Sequence, residues 1–284
     1  MGITRRSAMA AMLAAAAGAS RASVGRAADQ SLISGIVWQP DEDTPNPHGT
    51  WHRLGARQLL VQWIVADGEA FVAGTGLRAA PRLPDWARIG REPWAEQVIL
   101  GLAGITEEPD ARRGVRALAE LSRRLATHRM PLHVAGWYFP VEADPTWPGV
   151  RELPALLRAL PRPLWISAYD NAKIGEEPMA AWLQSWLPAD VGVFFQDGVG
   201  LHTREPESAR RYADALLRAL GPHRFRLIAE AFRPKPSGGF RPATAGELLP
   251  QFRAYKDHVV FAFDGPHYMN DALVEELRRR NRAG

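Results

Sequence analysis

From residue 33 onward, short runs rich in β-branched and aromatic residues alternate with Ala, Leu and Arg stretches of helical period. Eight apolar runs stand out, at 33–39, 58–65, 97–103, 132–139, 164–169, 191–196, 225–230 and 259–264. Each is short enough for a buried strand. Helical spacing of Leu and Ala predicts helices over 111–128, 151–160, 178–186, 206–220, 245–255 and 270–280. Several end on a Pro or Gly just before the next strand, as at Met130-Pro131, Leu160-Pro161, Leu187-Pro188 and Leu220-Gly221. Strand and helix alternating in this way predict an α/β chain, a single (β/α)8 TIM barrel. An open doubly wound sheet competes if one strand is misassigned. The interval 63–97 is rich in Gly, Pro and Trp without an amphipathic helix, so a long loop over the barrel mouth is expected there. No internal repeat or linker divides the chain.

The chain has 284 residues, 46% hydrophobic and 23% charged, enough for one barrel of roughly 250 residues. Its formal charge of +4 is carried by Arg5, Arg6, Arg21 and Arg26, which all precede Asp29; basic and acidic residues balance in the rest. A nucleic acid partner therefore loses its electrostatic basis. Thr4-Arg5-Arg6-Ser7-Ala8-Met9 leads into an Ala-rich apolar run and small residues at Ala27 and Ala28. That is the order of a secretory signal over residues 1–28, with residues 29–284 as the barrel domain. The paired arginines resemble a twin-arginine leader, although Ala8 stands where that pathway prefers a large apolar residue. Export by the Tat or Sec machinery to the periplasm or beyond is expected; a cytoplasmic Ala-rich helix is the alternative. The absence of cysteine rules out disulfides, a thiolate nucleophile and a lipid-anchored N-terminal cysteine. Beyond the leader no apolar run approaches the roughly 20 residues of a membrane span.

The active site of such a barrel forms where strands end and loops begin. Those ends are polar and aromatic here: Trp38-Gln39-Pro40, Gln62-Trp63, Trp137-Tyr138 with Glu142, Tyr169-Asp170-Asn171, Gln196-Asp197, Glu230, and Phe263-Asp264. Glycoside hydrolysis needs two carboxyl groups, one to protonate the leaving oxygen and one to act as nucleophile or activate water. Glu142 and Glu230 follow strands four and seven, nearly opposite in a ring of eight. By analogy with barrel glycosidases, Glu142 takes the acid/base role and Glu230 the nucleophile. The plainer alternatives are a loop carboxylate for Glu142, with Asp144 competing for its role, and an arginine ion pair for Glu230. Asp197, in Gln-Asp-Gly-Val-Gly, either contacts sugar hydroxyls or caps a turn, and Asp264 is read the same way. Trp38, Trp63, Trp137, Tyr138 and Tyr169 are candidate platforms for the apolar faces of sugar rings, with Gln62, Asn171 and Gln196 as polar contacts.

Other signals carry less. Gly74-Thr75-Gly76-Leu77-Arg78-Ala79 has dinucleotide-fingerprint spacing, but Pro81 and Pro84 occupy the helix it requires. The eight histidines show no paired metal spacing; His48 and His52 come nearest. There is no Gly-x-Ser-x-Gly elbow or phosphate-binding loop, so neither cofactor nor metal is expected. Arg278-Arg279-Arg280 completes a helix end, where positive charge is favourable.

The chain resembles a bacterial family of exported TIM barrels of unassigned function, grouped by fold with the glycoside hydrolases. The resemblance rests on Ile33-Ser34-Gly35 with Trp38-Gln39-Pro40, Leu54-Gly55-Ala56 with Val61-Gln62-Trp63, and the stretches 137–142 and 194–200. It implies a glycosidase-like barrel; the reaction is inferred from the residues. The reading is a glycoside hydrolase-like enzyme cleaving an oligo- or polysaccharide. The alternative is a non-catalytic saccharide-binding accessory in extracellular polysaccharide export or remodelling, and an isomerase or lyase on the same barrel stands third.

Overall fold

The computed structural model describes residues 31–283; the expected leader lies outside them. Eight strands close into a barrel: β1 (Gly35–Trp38), β2 (Gln58–Val61), β3 (Gln97–Gly101), β4 (Val134–Ala143), β5 (Leu164–Ala168), β6 (Val191–Gln196), β7 (Phe225–Glu230) and β8 (Val260–Phe263). Each pairs in parallel with its neighbours in sequence, and β8 closes on β1. The closed ring excludes the open sheet, and all eight expected strands are present.

Successive side chains of a strand point to opposite faces, and this alternation organises the molecule. Ile36, Leu59, Val98, Phe139, Ile166, Val193, Leu227 and Ala262 face outward into the large core shared with the helices. Val37, Leu60, Ile99, Tyr138, Trp165, Phe194, Ile228 and Phe261, one from each strand, fill the barrel. The interior is tight: a Cβ on Gly192 would lie 2.3 Å from the Trp165 ring, so only glycine lets that indole in. Two residues further along the seven strands other than β4, the same inward phase holds Gln39, Gln62, Gly101, Ser167, Gln196, Glu230 and Phe263, which form the ring nearest the mouth.

In β4 that phase is kept by a bulge. Phe139 pairs with Ile166, yet the next pair is Glu142 with Ser167, so Pro140 and Val141 fall out of the ladder. Proline has no N–H to give to a ladder, and a bulge of this kind re-aims the side chain that follows. Glu142 thus stands opposite the inward Ser167. The expected strand 132–139 in fact runs on to Ala143.

The helices fall close to expectation with two differences. The stretch 111–128 breaks at Gly114 into Glu108–Arg113 and Val115–Leu125, and 151–160 begins as a 3-10 turn, Pro148–Glu152, before Leu153–Leu157. The interval 63–97 is no plain loop. Val65–Ala66, Glu69–Ala70 and Arg78–Ala79 join Ala103–Gly104 in a small four-stranded sheet, followed by a short helix, Trp86–Ile89. Phe71, Val72 and Trp86 are buried in the outer core, which ties this segment down. Among the described residues no helix is long and apolar enough to cross a membrane.

Candidate active site

A cavity of about 220 Å³ opens at the C-terminal ends of the strands. Its floor is the inner ring, through Val37, Leu60, Tyr138 and Ile228, and its polar wall is built from Gln39, Gln62, Thr106, Glu108, Glu142, Ser167 and Gln196. Trp63, Ile105, Pro140 and Phe263 add apolar surface. Most of these side chains are aimed here by strand phase alone; Trp63, Ile105, Thr106 and Glu108 arrive from segments beyond strand ends.

Glu142 is the carboxyl that strand order and cavity agree on. One of its oxygens accepts a hydrogen bond from the Gln196 amide. Its backbone N–H donates to Glu108 Oε1 at 3.1 Å, and its carbonyl accepts from Arg112 at 3.1 Å. Burial raises its pKa to about 7, with Asp144 adding to the rise and Gln196 and Arg112 opposing it. Beneath it lies Tyr138, whose phenol burial pushes up, with Ser167 opposing the rise.

Glu108 was not anticipated from sequence. It lies seven residues past β3 at the start of a short helix, without a strand phase to aim it. Its pKa is raised to about 7, chiefly by burial and then by the charge of Glu142, against the pull of Arg112. Ser167 and Thr106 are further cavity residues outside the sequence reading.

The other expected residues divide clearly. Gln62, Trp63, Tyr138 and Gln196 line the cavity; the Trp63 indole donates to the Pro40 carbonyl at 3.0 Å, and Gln62 Oε1 is buried without a partner among the described residues. Trp38 and Trp137 are one position out of phase with the inner ring and pack outward against the helices. Tyr169 is drawn aside by a 2.6 Å hydrogen bond to Thr203 and by the Arg204 guanidinium over its ring. Asn171 is exposed, its backbone N–H donating to Asp144 at 2.7 Å. Asp144 itself caps the turn at Thr146.

Glu230 keeps the inward phase but does not line the cavity. It is 2% exposed, the turn after β6 lies against it, and Leu201 N–H donates to its Oε2 at 3.1 Å. Burial and then Asp197 push its pKa upward. No arginine pairs with its carboxylate among the described residues; Arg233 bonds its backbone carbonyl instead. Asp197 is fully buried and accepts from the backbone N–H groups of Val199 and Glu230, from the Gln251 amide and from the Tyr255 hydroxyl. Asp264 accepts from Gln39 N–H at 2.8 Å and meets His267 Nδ1 at 3.1 Å, while His267 Nε2 reaches Asp41 at 2.8 Å. Both aspartates hold the rim together from outside the cavity. No group of three or more His, Asp or Glu among the described residues is placed to hold a metal ion.

No protein-family model matches the chain, and no curated protein matches it in sequence. Among solved structures, the chain is similar to a Bacteroides thetaiotaomicron protein named as a candidate alpha-L-fucosidase, with a TM-score of 0.56 and 14% identity over 90% of this chain and 96% of that one. It also matches the PgaB (BpsB) glycoside hydrolase domain of Bordetella bronchiseptica, with a TM-score of 0.49 and 14% identity over 86% of this chain and 98% of that one. The first likeness shows a shared TIM-barrel fold, and at that identity it shows the fold alone.

Proposed function

We propose that this chain is a glycoside hydrolase-like enzyme acting on an oligo- or polysaccharide, with Glu142 as general acid/base. The observation that carries the reading is the placement of Glu142: a bulge turns it into the mouth cavity, and burial raises its pKa to about 7, so that a protonated fraction persists at neutral pH. A carboxylic acid in that state can protonate a glycosidic oxygen as the C–O bond breaks. Gln39, Gln62 and Gln196 supply hydrogen bonds for sugar hydroxyls, and Trp63 a flat apolar face. At about 220 Å³ the cavity is smaller than the roughly 300–1,000 Å³ of larger ligand clefts, which favours a single terminal sugar residue and hence exo action.

Glu230 is proposed as nucleophile on its strand position. It shares the inward phase of Gln196, on the adjacent strand, and, with its pKa raised to about 8 by burial and then Asp197, it attacks from the ionised fraction. Its Oε2 accepts from Leu201 N–H, and cleavage retained in Glu230→Gln would assign the carboxylate to the turn. The leader pattern adds a proposal about place: export through Tat or Sec to the periplasm or beyond, checked by locating the mature protein in cell fractions.

The test is product release from a panel of bacterial and plant oligo- and polysaccharides, comparing wild type with Glu142→Gln and Glu230→Gln. Cleavage by wild type, lost in Glu142→Gln while binding persists, supports the reading. Binding without cleavage by wild type overturns it in favour of the accessory barrel.

A further inference from the structure

We propose that Glu108 is a second working carboxylate of the cavity, one that contacts the substrate and holds the proton on Glu142; its substrate rests on the saccharide reading above. Two carboxyl groups line the cavity, and they are Glu108 and Glu142. They are joined by more than proximity. Glu108 Oε1 accepts from Arg112 Nε at 3.1 Å and from the backbone N–H of Glu142 at 3.1 Å, while Arg112 also donates to the Glu142 carbonyl. The guanidinium lies 5.5 Å from the Trp147 ring centre, which steadies the fork. One side chain thus fixes the stem of the other.

These bonds use only one oxygen of each carboxyl. Among the described residues no hydrogen bond engages Glu108 Oε2 or Glu142 Oε1. Neither oxygen is among the buried atoms that lack a partner, so each is open to the solvent of the cavity and to whatever displaces it.

Charge gives the pair its behaviour. Arg112 faces both carboxyls, Asp144 lies beyond the strand, Tyr138 lies beneath, and Glu230 acts from β7. Arg112 Nε lies 3.1 Å from Glu108 Oε1 in an ion pair, whereas the Glu142 carboxyl is met by the neutral Gln196 amide, so of the two Glu108 keeps its charge and Glu142 the proton. In the reaction, Glu142 gives its proton to the leaving oxygen as the glycosidic bond breaks. Glu108, ionised, accepts a hydrogen bond from a sugar hydroxyl and forms no bond to carbon.

The experiment is a carboxyl carbon NMR titration of the full chain, wild type against Glu108→Gln and Glu108→Asp, with kinetics on any saccharide that wild type cleaves. Glu108→Gln is near-isosteric, and Glu108→Asp keeps the charge. The expected result is two coupled steps in wild type, replaced in Glu108→Gln by a single Glu142 step about one pH unit lower; Glu108→Asp retains two steps. On a cleaved saccharide, KM rises roughly tenfold in Glu108→Gln, the loss of one charged hydrogen bond, and the alkaline limb of kcat/KM follows the titration downward. A Glu142 titration unchanged in Glu108→Gln overturns the pairing, and an unchanged KM overturns the substrate contact. If wild type cleaves nothing, the hydrolase reading fails while the titration still decides the pair.

Discussion

Replacing Asp197 with alanine separates a structural hub from a substrate contact. The side chain accepts from four donors, at 3.1 Å from Val199, 3.2 Å from Glu230, 2.6 Å from Gln251 and 3.0 Å from Tyr255. These lie on the turn after β6, the end of β7, the helix Ala245–Ala254 and the residue that follows that helix. Each buried donor left without an acceptor costs about 1–3 kcal/mol. The gross loss over four is therefore large, but removal of the carboxylate also relieves its own burial, which raises the Asp197 pKa. A net loss of about 3–5 kcal/mol is expected, the cost of the unsatisfied donors less the relieved burial. Set against a total stability of about 5–15 kcal/mol, that leaves a marginal fold. Asp197→Asn keeps shape and one acceptor and should lose less than half as much. Urea unfolding followed by circular dichroism reads both, as a fall in midpoint at constant slope. If Asp197→Ala stays within about 1 kcal/mol of wild type, the hub argument is wrong; if saccharide cleavage then disappears as well, Asp197 belongs to the site.

Three further outcomes follow from the same geometry. The folded pKa of Glu142 lies above its ordinary value, so wild-type stability falls as pH rises from 4.5 through about 7; Glu142→Gln lacks this contribution and should gain on wild type between pH 5 and 8 in urea titrations. His267 is raised to about 10 by Asp264 and then Asp41, so its stabilising charge is present below its ordinary value of 6.5 and is lost through about 10. Thermal unfolding of His267→Ala should show its largest deficit at about pH 6, shrinking as pH rises from 6.5 to about 10. Trp63→Ala removes the indole wall of the cavity and should weaken saccharide binding by roughly tenfold, about 1.4 kcal/mol, measured by calorimetry; unchanged affinity would exclude Trp63 as a platform.

Much of this architecture is legible in the strand pattern, and what is missed has identifiable causes. The runs 191–196 and 225–230 match β6 and β7 residue for residue, because continuous apolar strands bounded by turn residues leave little freedom in their ends. β4 hides its last turn of ladder because Pro140 argues against a central strand, and only the pairing with β5 reveals the bulge that accommodates it. Phase, rather than strand-end position, sorts the candidate site. Gln62, Tyr138 and Gln196 share the parity of the inner ring and reach the cavity, whereas Trp38, Trp137 and Asp197 sit one residue off and serve the core. That distinction was available in the sequence once a single inward residue per strand was known. Glu108 was not, since no strand phase governs a residue beyond β3 and only the Arg112 fork places it. Glu230 shows why phase is necessary and not sufficient. Its parity is right, but a Cβ on Gly200 would come within 2.6 Å of the Glu230 Cβ, so the turn after β6 already occupies the approach. For a carboxyl at a barrel mouth, lining the cavity therefore depends on two independent conditions, an inward phase and an unobstructed approach, and Glu142 meets both.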